Sequence, residues 1–411
     1  MNKKDETLLP ALRFPGFEGD WEYRKLGDFI DDRKEVAGAD LPLYSLTIES
    51  GIVPKSKRYE RSFLVKSEEA AYKRIHPKDF AYNPMNLRWG ALACHHGDEE
   101  IAVSKYYDVF HVNEKSTPEY LEPFLTSYKM VQFYDRMSEG TLEEKKRVHY
   151  LDFIHFKKLF PTLREQRKIA NFLTAVDGRI GQLIQKKALL EDYKKGVMQQ
   201  LFTQALRFKD GHGNDFPDWE EKKLGEFLTF KNGYNAAKEQ YGTGKKFINV
   251  LDIIENDYIT HERIIGEVDI SPKDFEKNEV RFGDILFQRS SETREEVGQA
   301  NVYLDRNETA TFGGFVIRGR PIAEFNPMFF NAMLKTSAVR KDMTSRSGGS
   351  TRYNIGQESL EEVTIRIAPS VDEQTKIADF LSAIDRKIES VATQITETQT
   401  FKRGLLQQMF V

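Results

Sequence analysis

Side chains able to pair with base edges gather in two stretches of this sequence. Asn83, Asn86 and Arg88 stand close to His95 and His96, and Gln288, Arg289, Arg294 and Gln299 form a second short group. A guanidinium can donate two parallel hydrogen bonds to guanine, and a carboxamide can pair twice with adenine. That chemistry reads a nucleic acid without transforming it. A second set could neutralise phosphates. Arg136, Lys145, Lys146 and Arg147 surround Gly140-Thr141, while Arg340, Lys341, Arg346, Ser350 and Arg352 lie among serines and glycines. Small residues let backbone N–H groups approach phosphates while the cations supply charge. Lys245 and Lys246, read as a lysine-bearing turn, are a further candidate pair. Charge runs ordinarily mark a solvated face, but here one feature recurs at one place in both halves of the chain.

Catalytic motifs do not survive inspection of their spacing. Gly242-Thr-Gly-Lys-Lys lacks the GxxxxGK[ST] spacing that wraps amides around a phosphate, and Phe312-Gly-Gly-Phe is no GxGxxG fingerprint. Tyr82-Asn-Pro-Met lacks the second proline and aromatic of an amino-methyltransferase motif, so it reads as a strand end. Pro217-Asp-Trp-Glu-Glu-Lys has the letters of a nuclease, with its acids too close together for two strands to present them to one metal. Cys94, His95 and His96 are consecutive, and adjacent side chains point apart, so no metal site is expected from that run. No catalytic residue and no cofactor site is expected on this chain.

The elements that must position these residues are repeated. Thr162–Phe202 and Ser370–Phe410 align without a gap, and apolar residues recur every seven: Ile169, Val176, Leu183, Leu190 and Val197, then Ile377, Ile384, Val391 and Leu405. Leu173, Ile180, Leu201, Leu381, Ile388, Ile395 and Met409 supply a second seam position. A sustained period of seven predicts two long helices of a coiled coil. Thr162 with Glu165, and Ser370 with Glu373, predict a capping box at each start, hydroxyl and carboxylate both satisfying orphan N–H groups. Ahead of each helix stands another repeated marker, Leu12–Phe29 and Leu206–Phe227, with Trp21 matching Trp219. The chain is a tandem duplication.

Length and composition agree. The 411 residues suffice for several folding units, and 39% apolar with 30% charged residues is ordinary for a globular protein. A net charge of −3 excludes a uniformly basic coat, so any nucleic-acid contact is local. Cys94 is the single cysteine, which excludes a disulfide framework within the chain. The N-terminal MNKKDETLLP carries no apolar leader and no run is long enough to span a bilayer, which predicts a cytoplasmic protein.

Between marker and helix, the first half reads as strands at 43–48, 80–82, 89–93, 101–103 and 109–112 with a helix near 119–137. The second reads as strands at 246–254, 258–268, 280–288, 301–304 and 314–318 with a helix near 327–344. Alignment is weak here, apart from Lys78-Asp-Phe-Ala-Tyr-Asn83 against Gly283-Asp-Ile-Leu-Phe-Gln288. A shared frame with different inserts suits shared partners and two different ligands.

The EQ-x-K-I-A-x-F-L-x-x-[IV]-D helix starts, the endings Gly196, Gln199, Gln200, Phe202 and Gly404, Gln407, Gln408, Phe410, and the two W-x-x-x-x-L-G markers resemble the specificity subunit of type I restriction-modification systems. The resemblance covers essentially the whole chain. It implies an α+β fold: two globular target recognition domains separated by two long helices forming an antiparallel coiled coil, in a tandem pseudo-symmetric duplication. Domains are then expected at 1–161 and 209–369, with helices at 162–208 and 370–411. It implies a non-catalytic subunit that reads a bipartite double-stranded DNA target and directs two methyltransferase subunits and two motor-nuclease restriction subunits. S-adenosylmethionine, ATP and magnesium would sit on those partners. Two other classes stay open on the residues alone: a fused restriction enzyme, and a coiled-coil scaffold whose ends bind protein or glycan.

Overall fold

A computed structural model describes residues 9–38, 40–55, 72–349 and 351–411 of the chain. Their contacts divide it into two compact units, Met1–Gln185 with Ala392–Val411, and Lys186–Val391. The two long helices form where the heptads predicted, over Leu163–Phe202 and Val371–Met409. Each is divided between the units, whereas the expected boundaries at 161 and 369 fall at the helix starts.

In the first unit the strand after the Trp21 marker, Glu22–Lys25, pairs antiparallel with Lys157–Phe160, the strand that leads into the long helix. In the second unit Glu220–Lys223 pairs with Thr364–Ile367 in the same way. Each unit thus closes its insert between a marker and a helix start. Inside the closure, the first unit has a four-stranded antiparallel sheet in the order Ile30–Asp32, Asp108–Val112, Phe80–Tyr82, Leu92–Cys94. The second repeats that order with Leu228–Asn232, Val316–Pro321, Ile285–Gln288 and Ala300–Val302. The single aligned hexapeptide marks the equivalent strand in each sheet. Lys78 and Gly283 both take a left-handed backbone, φ +71° and +88°. The buried Asp79 and Asp284 that follow each hold an arginine, Arg33 at 3.0 Å and Arg320 at 2.8 Å.

Several local expectations change. The helix near 119–137 is two helices, Pro118–Leu125 and Tyr128–Met137, divided where the Ser127 hydroxyl accepts the Met130 N–H at 3.3 Å. The helix near 327–344 is likewise two, Pro327–Leu334 and Ser337–Ser345. The expected strand at 246–254 is a strand, Tyr241–Ile248, followed by a short helix, Val250–Ile254, so Lys245 and Lys246 lie on a strand and not in a turn. Asp252 caps that helix by accepting the Asn249 N–H at 2.7 Å, a local bond that outweighs the β-branched propensity of the run.

The capping boxes form by half. Thr162 and Ser370 hydroxyls each accept the N–H three residues on, at 3.4 Å. The carboxylates of Glu165 and Glu373 turn away to Arg13 and Arg207. Within the first unit Ile169, Leu173 and Val176 share a core with Leu405, Met409 and Phe410; within the second Val197 and Leu201 share one with Ile377, Leu381 and Ile384. Two of the lysines that interrupt the heptad stripes make cross-helix ion pairs, Lys402 with Asp177 at 2.6 Å and Lys194 with Asp385. Among the described residues no helix is long and apolar enough to cross a membrane.

Candidate nucleic-acid interface

The base-reading candidates separate into exposed edges and committed side chains. Arg88, expected to read a base, is buried and ion-paired to Glu143 and, at 2.8 Å, to Asp135; it also donates to the Glu143 carbonyl at 3.0 Å. His95 is buried with its ring nitrogen 2.7 Å from the Glu99 carbonyl, so it shapes a turn. His96 is exposed and lies 2.9 Å from Glu122. Asn83 uses its side-chain oxygen to accept the Met85 N–H at 3.0 Å, which builds the turn carrying Asn86, a half-buried residue.

In the second unit Gln288 is buried at the end of the equivalent strand. Its amide donates to the Ser290 carbonyl at 3.1 Å, and its oxygen has no partner among the described residues. Arg289 donates to the Gly314 carbonyl at 3.3 Å, and the exposed Arg294 to the Thr344 carbonyl at 3.2 Å. Gln299 is half-buried, and its backbone carbonyl accepts the Gln288 N–H at 2.8 Å.

Of the phosphate candidates, Arg340 serves the fold. It donates to the Glu295 and Val297 carbonyls at 2.9 and 2.7 Å, and burial pushes its pKa down. Arg346 is paired with Asp342 at 3.1 Å, Lys146 with Glu143 at 2.8 Å, and Lys246 with Glu267 at 3.0 Å. Arg147 donates to the Lys145 carbonyl at 3.3 Å. Ser350 lies outside the described residues. Arg136, Lys145, Lys341 and Arg352 are exposed with no ion pair among the described residues, and exposed Lys245 rests 5.0 Å from the centre of the Phe275 ring. Lys158, half-buried over the Phe133 ring at 3.2 Å, is pushed down to about 8 by burial, with Arg136 nearby adding to the effect.

Two groupings escaped the sequence reading. A cavity of about 370 Å³ in the second unit is lined by Tyr234, Asn235, Tyr241, Asn249 and Phe315. Amide edges beside aromatic faces are the groups that grip a base. Glycine lets the chain pack closely around this cavity: a Cβ on Gly233 would fall 2.1 Å from the Gly313 carbonyl, and one on Gly314 would push the Asn235 side chain aside. Those glycines were the available signal. In the first unit Cys94 and His96, two residues apart, converge with Glu122, all three ligand atoms lying within 4.8 Å of one another. The sequence reading set this run aside because adjacent side chains point apart, but Cys94 and His96 are two apart and both come beside Glu122.

Residues 217–399 match the type I restriction modification DNA specificity domain. The putative type I restriction enzyme MjaX specificity subunit of Methanocaldococcus jannaschii is 24% identical, over 94% of this chain and 92% of its own length. The MjaVIII specificity subunit of the same organism is 24% identical over 62% of this chain and 61% of its length. Among solved structures, the S subunit of a type I restriction-modification system from M. genitalium superposes with a TM-score of 0.53 at 15% identity, covering 98% of this chain and 99% of that one. The HsdS subunit from Thermoanaerobacter tengcongensis gives 0.51 at 18%, covering 97% and 96%.

Proposed function

We propose that this chain is a specificity subunit of a type I restriction-modification system, as its matched domain and its similar proteins suggest, and that each unit reads one half of a bipartite double-stranded target. The observation that carries this reading is the pair of equivalent four-stranded sheets, closed by the same marker-to-helix strand pairing and differing in their loops. A shared frame suits identical partners, and different loops suit two half-targets.

In this reading the chain is a non-catalytic, cytoplasmic subunit. It directs two methyltransferase subunits and two motor-nuclease subunits, which carry S-adenosylmethionine, ATP and magnesium. Arg136, Lys145, Lys245, Lys341 and Arg352 contact phosphates, because their charge is exposed and unpaired by acids. Asn86, Gln299 and Arg289 read bases directly, together with Asn235 and Asn249 in the second unit. Arg88, His95 and Arg340 hold the surfaces on which those residues stand.

The test exchanges residues 22–160 for the corresponding region of another such subunit and sequences the methylated sites in cells carrying the partners. One half of the target changes and the other stays. A change in both halves would show that the units are not independent readers. The purified chain alone, given DNA, S-adenosylmethionine, ATP and magnesium, yields neither methylated nor cleaved product.

A further inference from the structure

The first unit holds a constellation that sequence reading for DNA leaves unused. Cys94 ends the strand Leu92–Cys94, His96 lies two residues beyond it, and Glu122 projects from the helix Pro118–Leu125. The Glu122 carboxylate is 2.9 Å from the His96 ring nitrogen and accepts the Cys94 N–H at 3.2 Å. The backbone bond fixes the direction of the carboxylate, the orienting role that outer contacts play for metal ligands. The Cys94 thiol lies 3.6 Å from the Lys78 carbonyl. We propose that Cys94, His96 and Glu122 form a three-ligand site for a divalent transition metal of the zinc class, open at its fourth position.

Ligand chemistry and spacing both fit. A thiolate, an imidazole and a carboxylate together select zinc or cobalt over magnesium or calcium, which take oxygen ligands. In a tetrahedral site with bonds of about 2.0 to 2.3 Å, neighbouring donors stand about 3.3 to 3.6 Å apart. The three ligand atoms already lie within 4.8 Å of one another, so closing onto an ion asks each pair to approach by at most about 1.5 Å. The site faces a cavity of about 550 Å³ also lined by Lys78, Glu119, Asp177 and Lys402. Its two lysines are already matched, Lys78 with Glu119 at 3.2 Å and Lys402 with Asp177 at 2.6 Å, which leaves Glu122 as the surplus negative charge. A cation entering by this cavity meets no unbalanced lysine, and water can complete its coordination. Bound there, it would clip the strand end to the helix, releasing the thiol proton to solvent.

The test titrates cobalt(II) into the full, metal-stripped chain and follows the visible spectrum. One equivalent should produce tetrahedral d–d bands together with a thiolate-to-cobalt charge-transfer band, and zinc should displace both. His96→Gln alters an exposed side chain, so it leaves the fold intact, and it should weaken binding at least about tenfold. Cys94→Ser should remove the charge-transfer band, and Glu122→Gln keeps the bond from the Cys94 N–H while losing affinity. Circular dichroism checks the fold of every variant. Absence of the bands in the parent chain, or bands that survive His96→Gln with unchanged affinity, would overturn the site. Because the readout is metal binding without DNA, it is independent of the proposed function.

Discussion

Arg13 grips Glu165 through two nitrogens, each 2.8 Å from a carboxylate oxygen, across 152 residues of chain. Trp21 adds a third donor to the same carboxylate at 3.3 Å, so the marker that precedes the first insert is fastened to the helix that follows it. Arg207 repeats the grip on Glu373 at 3.2 Å, but the Trp219 N–H finds no partner among the described residues. Glu165→Gln leaves a part-buried arginine without its anion and should cost the first unit about 1 to 3 kcal/mol. Glu373→Gln should cost less, having one donor fewer to strand. Chemical unfolding of both variants, followed by the fluorescence of the tryptophans, checks the order.

The equivalent turns before Asp79 and Asp284 place different residues at their left-handed position, Lys78 and Gly283. A side chain at Gly283 meets nothing closer than 3.7 Å, so Gly283→Ala pays only for left-handed backbone, about 1 to 2 kcal/mol. Lys78 already bears that strain at φ +71°, and its ion pair with Glu119 is exposed. Lys78→Gly should therefore be neutral or stabilising. The expected outcome is a lower denaturant midpoint for Gly283→Ala and an unchanged or higher one for Lys78→Gly.

Lys158 gives the first unit a pH dependence. Its folded pKa lies at about 8, below the 10.5 of a free lysine, so between these values the unfolded chain holds more protons. Stability therefore rises as pH increases from about 8 toward 10.5, and below pH 8 the charged lysine is a burden. Lys158→Met should raise the unfolding midpoint at pH 7 and flatten the rise. Arg136→Ala should shift that rise to higher pH by removing a neighbouring charge. Unfolding midpoints at a series of pH values give the result.

Lys194 and Asp385 make a test of helix register. Charge reversal at either residue alone places like charges together and should lower stability by roughly 1 kcal/mol, since both side chains are partly exposed. The double reversal, Lys194→Asp with Asp385→Lys, should recover most of the loss. Additive losses in the double-mutant cycle would mean that the two residues do not meet.

Arg352 and Arg88 should part company in DNA binding. Arg352→Ala in the assembled complex should weaken cognate and unrelated DNA alike and reduce the salt slope of log K by about 0.9. Arg88→Ala should leave that slope alone and lower the thermal stability of the first unit, because Asp135 and Glu143 lose their shared cation. Binding isotherms at several salt concentrations distinguish the two.

The sequence by itself determined the elements whose cause is local. Heptad spacing from Ile169 and from Ile377 predicted both long helices, because seam residues every seven positions keep one stripe buried whatever lies around them. The repeated Trp21 and Trp219 markers disclosed the duplication, and the hexapeptides at Lys78 and Gly283 identified equivalent strands even though their flanks do not align. Tertiary structure decided the partners. Glu165 reads locally as a capping carboxylate, yet a guanidinium and an indole 144 residues or more away compete for it and win. Arg88 reads as a base reader until the turn carrying Glu143 folds back over it, and Arg340 until the Glu295 and Val297 carbonyls reach it. Cys94, His96 and Glu122 meet because a strand end and a helix pack together. Charged and polar side chains are satisfied by whatever the fold brings within about 3 Å, and that depends on contacts between distant segments, which no local pattern encodes.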